Sequence, residues 1–189
     1  MDIKDSFYTI GKGASGDIYK DKNSKFYGFA FPVTNEDKVK SHLYDLKKEH
    51  YSARHWCYAY QIGTETKTYR ANDDGEPNNS AGMPIYGQIQ SNNLTNVLVV
   101  VIRYYGGTKL GVGGLIRAYR SAAESALENA TIIEQTINSK FRITFDYKNM
   151  SRVMRILKEN EITIIQQRLE QDCLLEISVR KGNSSHIYS

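Results

Sequence analysis

Apolar and polar positions change period several times along the chain, and each change marks an element. Asp17 to Lys20 and Lys25 to Phe31 flank Asp21-Lys22-Asn23-Ser24, a turn composition, so residues 17–31 predict a hairpin. After Pro32, Thr34 is placed to cap a helix in which Val39, Leu43 and Leu46 recur at four and three residues, ending near His50. His55 to Ile62 is rich in aromatic residues and stops at Gly63, which suits a strand, and Thr68 to Asn72 is expected to pair with it. A loop over residues 73–79 precedes a second helix, for which Ser80 is the expected cap, with Pro84 in the first turn and Ile85 and Ile89 inward. Val97 to Ile102 is continuous, uncharged and mostly β-branched, the signature of a central strand buried on both faces. A glycine-rich loop then enters a long helix whose stripe is Leu115, Tyr119, Ala122, Ala126 and Ala130; such small residues imply close packing on a sheet.

Past Thr136 the grammar restarts. Phe141, Ile143, Phe145 and Tyr147 alternate with Arg142, Thr144 and Asp146, a strand with one wet face. Asn149 or Ser151 is placed to cap a short helix with Val153, Ile156 and Leu157 inward and Arg152, Arg155 and Lys158 outward. Strands over 161–168 and 173–180 follow, giving a β-α-β-β order, and the tail Lys181 to Ser185 is expected to be mobile. The pattern predicts two domains, residues 1–136 and 137–189.

Composition narrows the class. With 40% hydrophobic and 24% charged residues the chain is globular, and its six-residue apolar run from Val97 to Ile102 falls far short of a membrane span, which takes about 20. The first residues carry charges of both signs and no export signal, so a cytoplasmic protein without membrane contact is expected. Cys57 and Cys173 make no disulfide framework and no zinc motif. The net charge of +4 is uneven: residues 1–136 hold 16 basic and 15 acidic side chains, residues 137–189 hold 9 and 6. A small basic module beside a near-neutral one suits an anionic partner such as nucleic acid, and equally a solvated surface of scattered lysines.

Three motifs are candidates for chemistry. Gly106, Gly107, Gly111, Gly113 and Gly114 crowd nine residues between the buried strand and the long helix, where backbone N–H groups can face an anion with Arg103, Lys109, Arg117 and Arg120 close in sequence. It is no nucleotide fingerprint: no Ser or Thr follows Lys109, and Ile116 stands where a dinucleotide loop needs its last glycine. The competing reading is that the glycines supply positive φ and tight helix packing. Asp73, Asp74 and Glu76 form an acidic loop without calcium-loop spacing; they serve as turn residues, as a base or ligand set, or as an acid surface set against the basic glycine loop. His55 and Cys57 lie two apart on one strand face, as a base and nucleophile would, though a core cysteine and a capping histidine are the commoner case. His42, His50 and His186 offer no metal spacing, so neither metal nor cofactor is expected.

The run Arg103-Tyr104-Tyr105-Gly106-Gly107-Thr108-Lys109-Leu110-Gly111-Val112-Gly113-Gly114-Leu115-Ile116-Arg117-Ala118-Tyr119 resembles the IMPACT family, specifically its bacterial YigZ-type members. So do Asp73-Asp74-Gly75-Glu76-Pro77, the following Ala81-Gly82-Met83-Pro84-Ile85, Ser24-Lys25-Phe26 and His55-Trp56-Cys57-Tyr58-Ala59-Tyr60, so that the resemblance covers roughly residues 15–130. It implies an α+β protein of two domains. The first would have the βαββ-type fold shared with a small-subunit ribosomal protein and elongation factor G, with helices on one face of a four-stranded sheet. The second would be a ferredoxin-like module, incomplete because nine residues remain after Arg180. Family members in eukaryotes act in translational control, through a kinase and an added N-terminal domain that has no counterpart ahead of Ile3; the resemblance assigns no catalytic residue. The expectation is therefore a non-enzymatic protein that binds RNA, the ribosome or a translation factor through the glycine loop, its flanking Arg103, Lys109, Arg117 and Arg120, and the helix face Arg152, Arg155 and Lys158. The alternative is an enzyme holding a small phosphorylated or anionic substrate at the glycine loop with the acidic loop as base. Oligomeric state is left open.

Overall fold

A computed structural model describes residues 5–187, with side chains through residue 184. The fold is α+β and falls into two compact units, Phe7–Gln135 and a second made of the chain from Thr136 onward together with Asp5 and Ser6.

The larger unit is built from β1 (Ser6–Ile10), β2 (Ala14–Ser15), β3 (Tyr19–Asp21), β4 (Ser24–Pro32), α1 (Glu36–Glu49), β5 (His55–Ile62), β6 (Thr68–Asn72), α2 (Gly82–Ser91), β7 (Val97–Tyr104), α3 (Gly111–Glu128) and β8 (Ile132–Thr136). Its main sheet runs β2-β4-β7-β5-β6, with β3 also paired to β4, so the expected four strands are extended at one edge by two short ones. The β3–β4 hairpin turns at Lys22 and Asn23, both at positive φ, on the predicted turn residues. β1 and β8, which lack a clear alternating pattern, form a separate two-stranded sheet.

The sheet's central strand explains why both faces are covered. Val97, Val99 and Val101 of β7 join one core with Phe26, Ala30, Cys57 and Ala59 and the inner faces of α2 and α3. Leu98, Val100 and Ile102 join the other with Val39, Leu46 and Tyr60, against which Tyr27, Phe29, Phe31, Trp56 and Leu43 pack. Helices thus lie on both faces rather than one, because a strand apolar at every position must bury both of its sides; each such side chain contributes about 1.5–3 kcal/mol. The α2/α3 face carries small residues. A Cβ on Gly28 would run into the Ala122 carbonyl, so α3 lies directly on β4, as its alanine stripe implied.

Two helix starts differ from expectation. Asn35, not Thr34, caps α1 by accepting the Lys38 N–H at 3.0 Å. Ser80 does not cap α2: its hydroxyl donates to the Pro77 carbonyl at 2.6 Å, and the helix begins after Ala81. At the other end of the sheet, the Tyr60 hydroxyl donates to Glu36 at 2.7 Å and ties β5 to the first turn of α1; burial, then the Glu36 carboxylate, pushes its pKa up to about 12.

The smaller unit follows the expected order: β9 (Asn138–Asp146), a 3₁₀ turn, α4 (Met150–Glu159), β10 (Thr163–Arg168) and β11 (Asp172–Arg180) in an antiparallel sheet ordered β10-β11-β9. Leu157, Leu175, Ile177 and Val179 make its core, while Ile156, expected inward, is 42% exposed at the helix edge. The segment expected to be mobile, Lys181 to Ser185, lies in 3₁₀ turns over Lys181–Ile187, held by the Lys181 N–H on the Ile137 carbonyl at 2.8 Å. Arg180 clamps Asp5 at 2.6 Å, holding that carboxyl below its usual range.

Candidate functional site: an acidic loop buried against a glycine-rich helix start

Asp73, Asp74 and Glu76 each face a different partner. The Asp73 carboxylate accepts the N–H groups of Asn79, Ala81 and Gly82 at 2.9, 3.0 and 2.8 Å, doing for α2 what Ser80 was expected to do. Asp74 accepts the Trp56 N–H at 2.8 Å and so fastens the loop to β5. The turn requires positive φ at Asp74 and Gly75, which aspartate and glycine tolerate.

Glu76 points inward. Its Oε1 receives Arg103 Nη1 at 2.6 Å and the Tyr119 hydroxyl at 2.8 Å, with the Glu76 and Arg103 side chains each only 5% exposed. Arg103 also reaches Ser24 Oγ at 3.3 Å and lies over the rings of Phe26 and Tyr105, 5.5 and 5.3 Å from their centroids. Ser24 Oγ in turn accepts the Gly106 N–H at 3.1 Å. A chain Glu76–Arg103–Ser24–Gly106 therefore joins the acidic loop to the glycine loop, the acid-against-base use raised from sequence. Burial drives the pKa of Tyr119 upward, so its phenol stays a proton donor to Glu76.

His55 and Cys57 do not form a dyad. Both bond the backbone of the acidic loop: His55 Nδ1–H donates to the Asp74 carbonyl at 2.9 Å, and the Cys57 thiol to the Asp73 carbonyl at 3.0 Å. A carbonyl only accepts, so Nδ1 of His55 bears a hydrogen, and Nε2 faces Glu76 Oε1 at 3.9 Å. Cys57 is fully buried, and that burial pushes its thiol pKa upward, away from thiolate chemistry. Cys173 is likewise buried and free.

The glycines divide by role. Gly106 is pressed against the Asn23–Ser24 backbone and admits no Cβ, whereas Gly107 and Gly111 adopt positive φ (85° and 71°) in open space. Gly114 is buried under Leu110, while Gly111 and Gly113 lie exposed in the first turn of α3. Leu110 occupies the cap position and no side chain caps this helix, so its first N–H groups face outward. The Arg117 guanidinium folds back over that turn, where a Cβ on Gly113 would stand 3.8 Å from Nη1. Lys109, Arg117 and Arg120 are exposed and form no ion pair among the described residues.

Arg103, grouped with those cations from sequence, is instead a buried structural charge. The signal was present: a charged residue directly after six buried apolar ones needs an internal counter-ion. Tyr119, read only as part of the helix stripe, is the member of this network that sequence reasoning missed. Arg152, Arg155 and Lys158 lie on α4 of the other unit, where Arg155 faces Glu159 at 3.7 Å. His42 stacks on Phe31, and His50 bonds Tyr104 at 2.9 Å; the side chain of His186 lies outside the described residues.

A two-unit α+β protein, whose glycine-rich helix start is tied through a buried Arg–Glu pair to an acidic capping loop, is the class that fold and site define. Residues 22–127 match the Impact N-terminal domain, and the chain belongs to the IMPACT family. It is 30% identical over 180 residues to IMPACT family member YvyE of Bacillus subtilis (strain 168), covering 95% of this chain and 82% of that one. With IMPACT family member YigZ of Escherichia coli (strain K12) it shares 28% identity over 160 residues, 84% of this chain and 78% of that one. The crystal structure of a hypothetical protein superposes with a TM-score of 0.76 at 24% identity, over 97% of this chain and 90% of that chain, and shares the fold.

Proposed function

We propose that the protein is a non-enzymatic binding protein that docks on RNA or a component of the translation apparatus through the glycine loop and the first turn of α3. One observation carries this reading: the uncapped, outward-facing start of α3 is surrounded by Lys109, Arg117 and Arg120, which no carboxylate neutralises among the described residues. Such a surface suits a phosphate backbone, because helix N–H groups and cations act on the same oxygens. Membership of the IMPACT family supports the link to translation. The exposed cations Arg152 and Lys158 of α4 offer a second basic face. An enzymatic reading is weakened because every carboxylate of the acidic loop already accepts hydrogen bonds from backbone N–H groups or from Arg103 and Tyr119.

The test is titration of single-stranded and structured RNA against the full chain at several salt concentrations, with ribosome co-sedimentation in parallel. Affinity is expected to fall with log[salt] at a slope of about −0.7 per phosphate contacted on a single strand, and K109A with R117A to make that slope shallower by about 1–2. No binding at low salt, together with co-sedimentation unchanged by the two substitutions, overturns the proposal. Repeating co-sedimentation after ribonuclease separates an RNA partner from a protein one.

A further inference from the structure

Gly87 is out of place in α2. Glycine is a poor residue for a helix interior and is kept where a positive φ or a close backbone approach requires it. At Gly28 and Gly82 a Cβ would run into backbone, which accounts for both. Gly87 has neither reason: its φ is not positive, and nothing stands within 4 Å of the place of its Cβ. What its missing side chain leaves open is a groove of about 520 Å³ between α2 and α3, within the about 300–1,000 Å³ of small-molecule sites.

The lining of this groove is of two kinds. Met83, Pro84 and Ile116 offer apolar contact, with Met83 40% exposed. Around them stand the Asn79 and Gln88 amides and the Arg120 guanidinium, none of which makes a side-chain hydrogen bond or ion pair among the described residues. Amides both donate and accept, and a guanidinium plane stacks on rings. The groove is reached from the start of α3: Val112, 52% exposed, Ile116 and Arg120 follow one another four residues apart, so one ridge runs from the glycine loop into it. Arg117, next to Ile116, folds back over that first turn. The first acidic residue of α3 is Glu124, one turn past Arg120, and the Asp73 carboxylate beside Asn79 is spent on three N–H groups.

We infer, resting on the reading of the α3 start as a phosphate-binding surface, that the α2/α3 groove takes an unpaired base of a single-stranded RNA whose backbone lies along Lys109 and Arg117. The ring lies against Met83, Pro84 and Ile116, the Arg120 guanidinium stacks on it, and the Asn79 and Gln88 amides bond its edge. A duplex keeps its bases stacked inside and gains nothing from the groove. The occupant is a nucleobase because an apolar slot edged by unbonded amides and set beside unpaired cations matches a flat ring with polar edges that hangs from a phosphate chain.

Fluorescence-anisotropy titration of the full chain with labelled strands of about 12 nucleotides tests it. One strand carries uracil bases, and a second has the same ribose–phosphate backbone without bases. The base-bearing strand is expected to bind at least about fivefold tighter. G87L and G87M fill the groove from a helix position with room for a side chain, and each is expected to bring the affinity ratio of the two strands to within about twofold of unity. K109A with R117A is expected to weaken both strands, since both carry the phosphates. A urea midpoint by Trp56 fluorescence no lower than the parent's confirms that the filled variants are folded. Ultraviolet cross-linking of the parent to a thiouridine strand is expected to mark the groove, at residues 79–88 or 112–120. Equal affinity for the two strands, a ratio that G87L and G87M leave in place, or cross-links confined to other segments each overturns the base site while the phosphate surface stands. Should those variants weaken ribosome co-sedimentation with the ratio unchanged, the occupant is a protein side chain and the base site is likewise overturned. Absence of binding by either strand overturns both readings.

Discussion

Replacing Glu76 by Gln tests whether the link between the acidic loop and the glycine loop holds the larger unit together. The substitution keeps the shape and an acceptor for Tyr119 but removes the one carboxylate that, among the described residues, is bonded to Arg103, a guanidinium 5% exposed whose Nε likewise has no hydrogen-bond partner among them. Breaking a buried pair by removing one partner costs about 3–5 kcal/mol, because the remaining charge stays desolvated. Against a typical total of about 5–15 kcal/mol that is a large loss. A surface pair such as Lys40–Asp37, with side chains 73% and 90% exposed, is the internal control, and K40A is expected to change stability by less than about 1 kcal/mol. Trp56 is the sole tryptophan and lies on β5, so its fluorescence during urea unfolding reports the larger unit alone. Adding R103M to E76Q removes the stranded charge, and the double variant is expected to be more stable than E76Q. An E76Q chain within about 1 kcal/mol of the parent, or a double variant whose loss is the sum of the single ones, refutes the view that this pair is the unit's buried electrostatic anchor.

D73A leaves the N–H groups of Asn79, Ala81 and Gly82 without their acceptor and is expected to cost about 1–2 kcal/mol or more by the same fluorescence measurement. His42 stacks on Phe31 at 4.2 Å between centroids; burial is the main cause that lowers its pKa, with Lys38 acting in the same direction and Asp45 opposing. The folded state therefore prefers neutral His42, and its contribution is present above the unfolded value of about 6.5 and lost as pH falls through the lower folded one. H42Q is expected to flatten the stability–pH curve in that window, and an unchanged slope counts against the assignment.

Much of the fold was legible because periodicity reports burial directly. The continuous run Val97 to Ile102 announced a strand covered on both sides, and the alanine stripe of α3 announced a close approach that Gly28 makes possible. Helix starts were less legible: Asn35 and Asp73 do the capping expected of Thr34 and Ser80, since several oxygen-bearing side chains near a helix start compete and backbone direction chooses among them. β1 and β8 have no strong alternation and are strands only because they meet each other.

The sequence by itself determined which residues are chemically unusual: a glycine-rich helix entry, an acidic loop, a histidine and cysteine two apart, and an arginine at the end of an apolar strand. Only the tertiary structure decided their roles, because role depends on which desolvated groups find partners far apart in the chain. Glu76 and Arg103, 27 residues apart, neutralise each other in the core, and Tyr119, 43 residues from Glu76, completes the pair. Lys109, Arg117 and Arg120 stay in solvent with their charge unspent. The same five-donor side chain is thus a structural strut at position 103 and a binding candidate at 117, a distinction set by burial, which residue type does not encode.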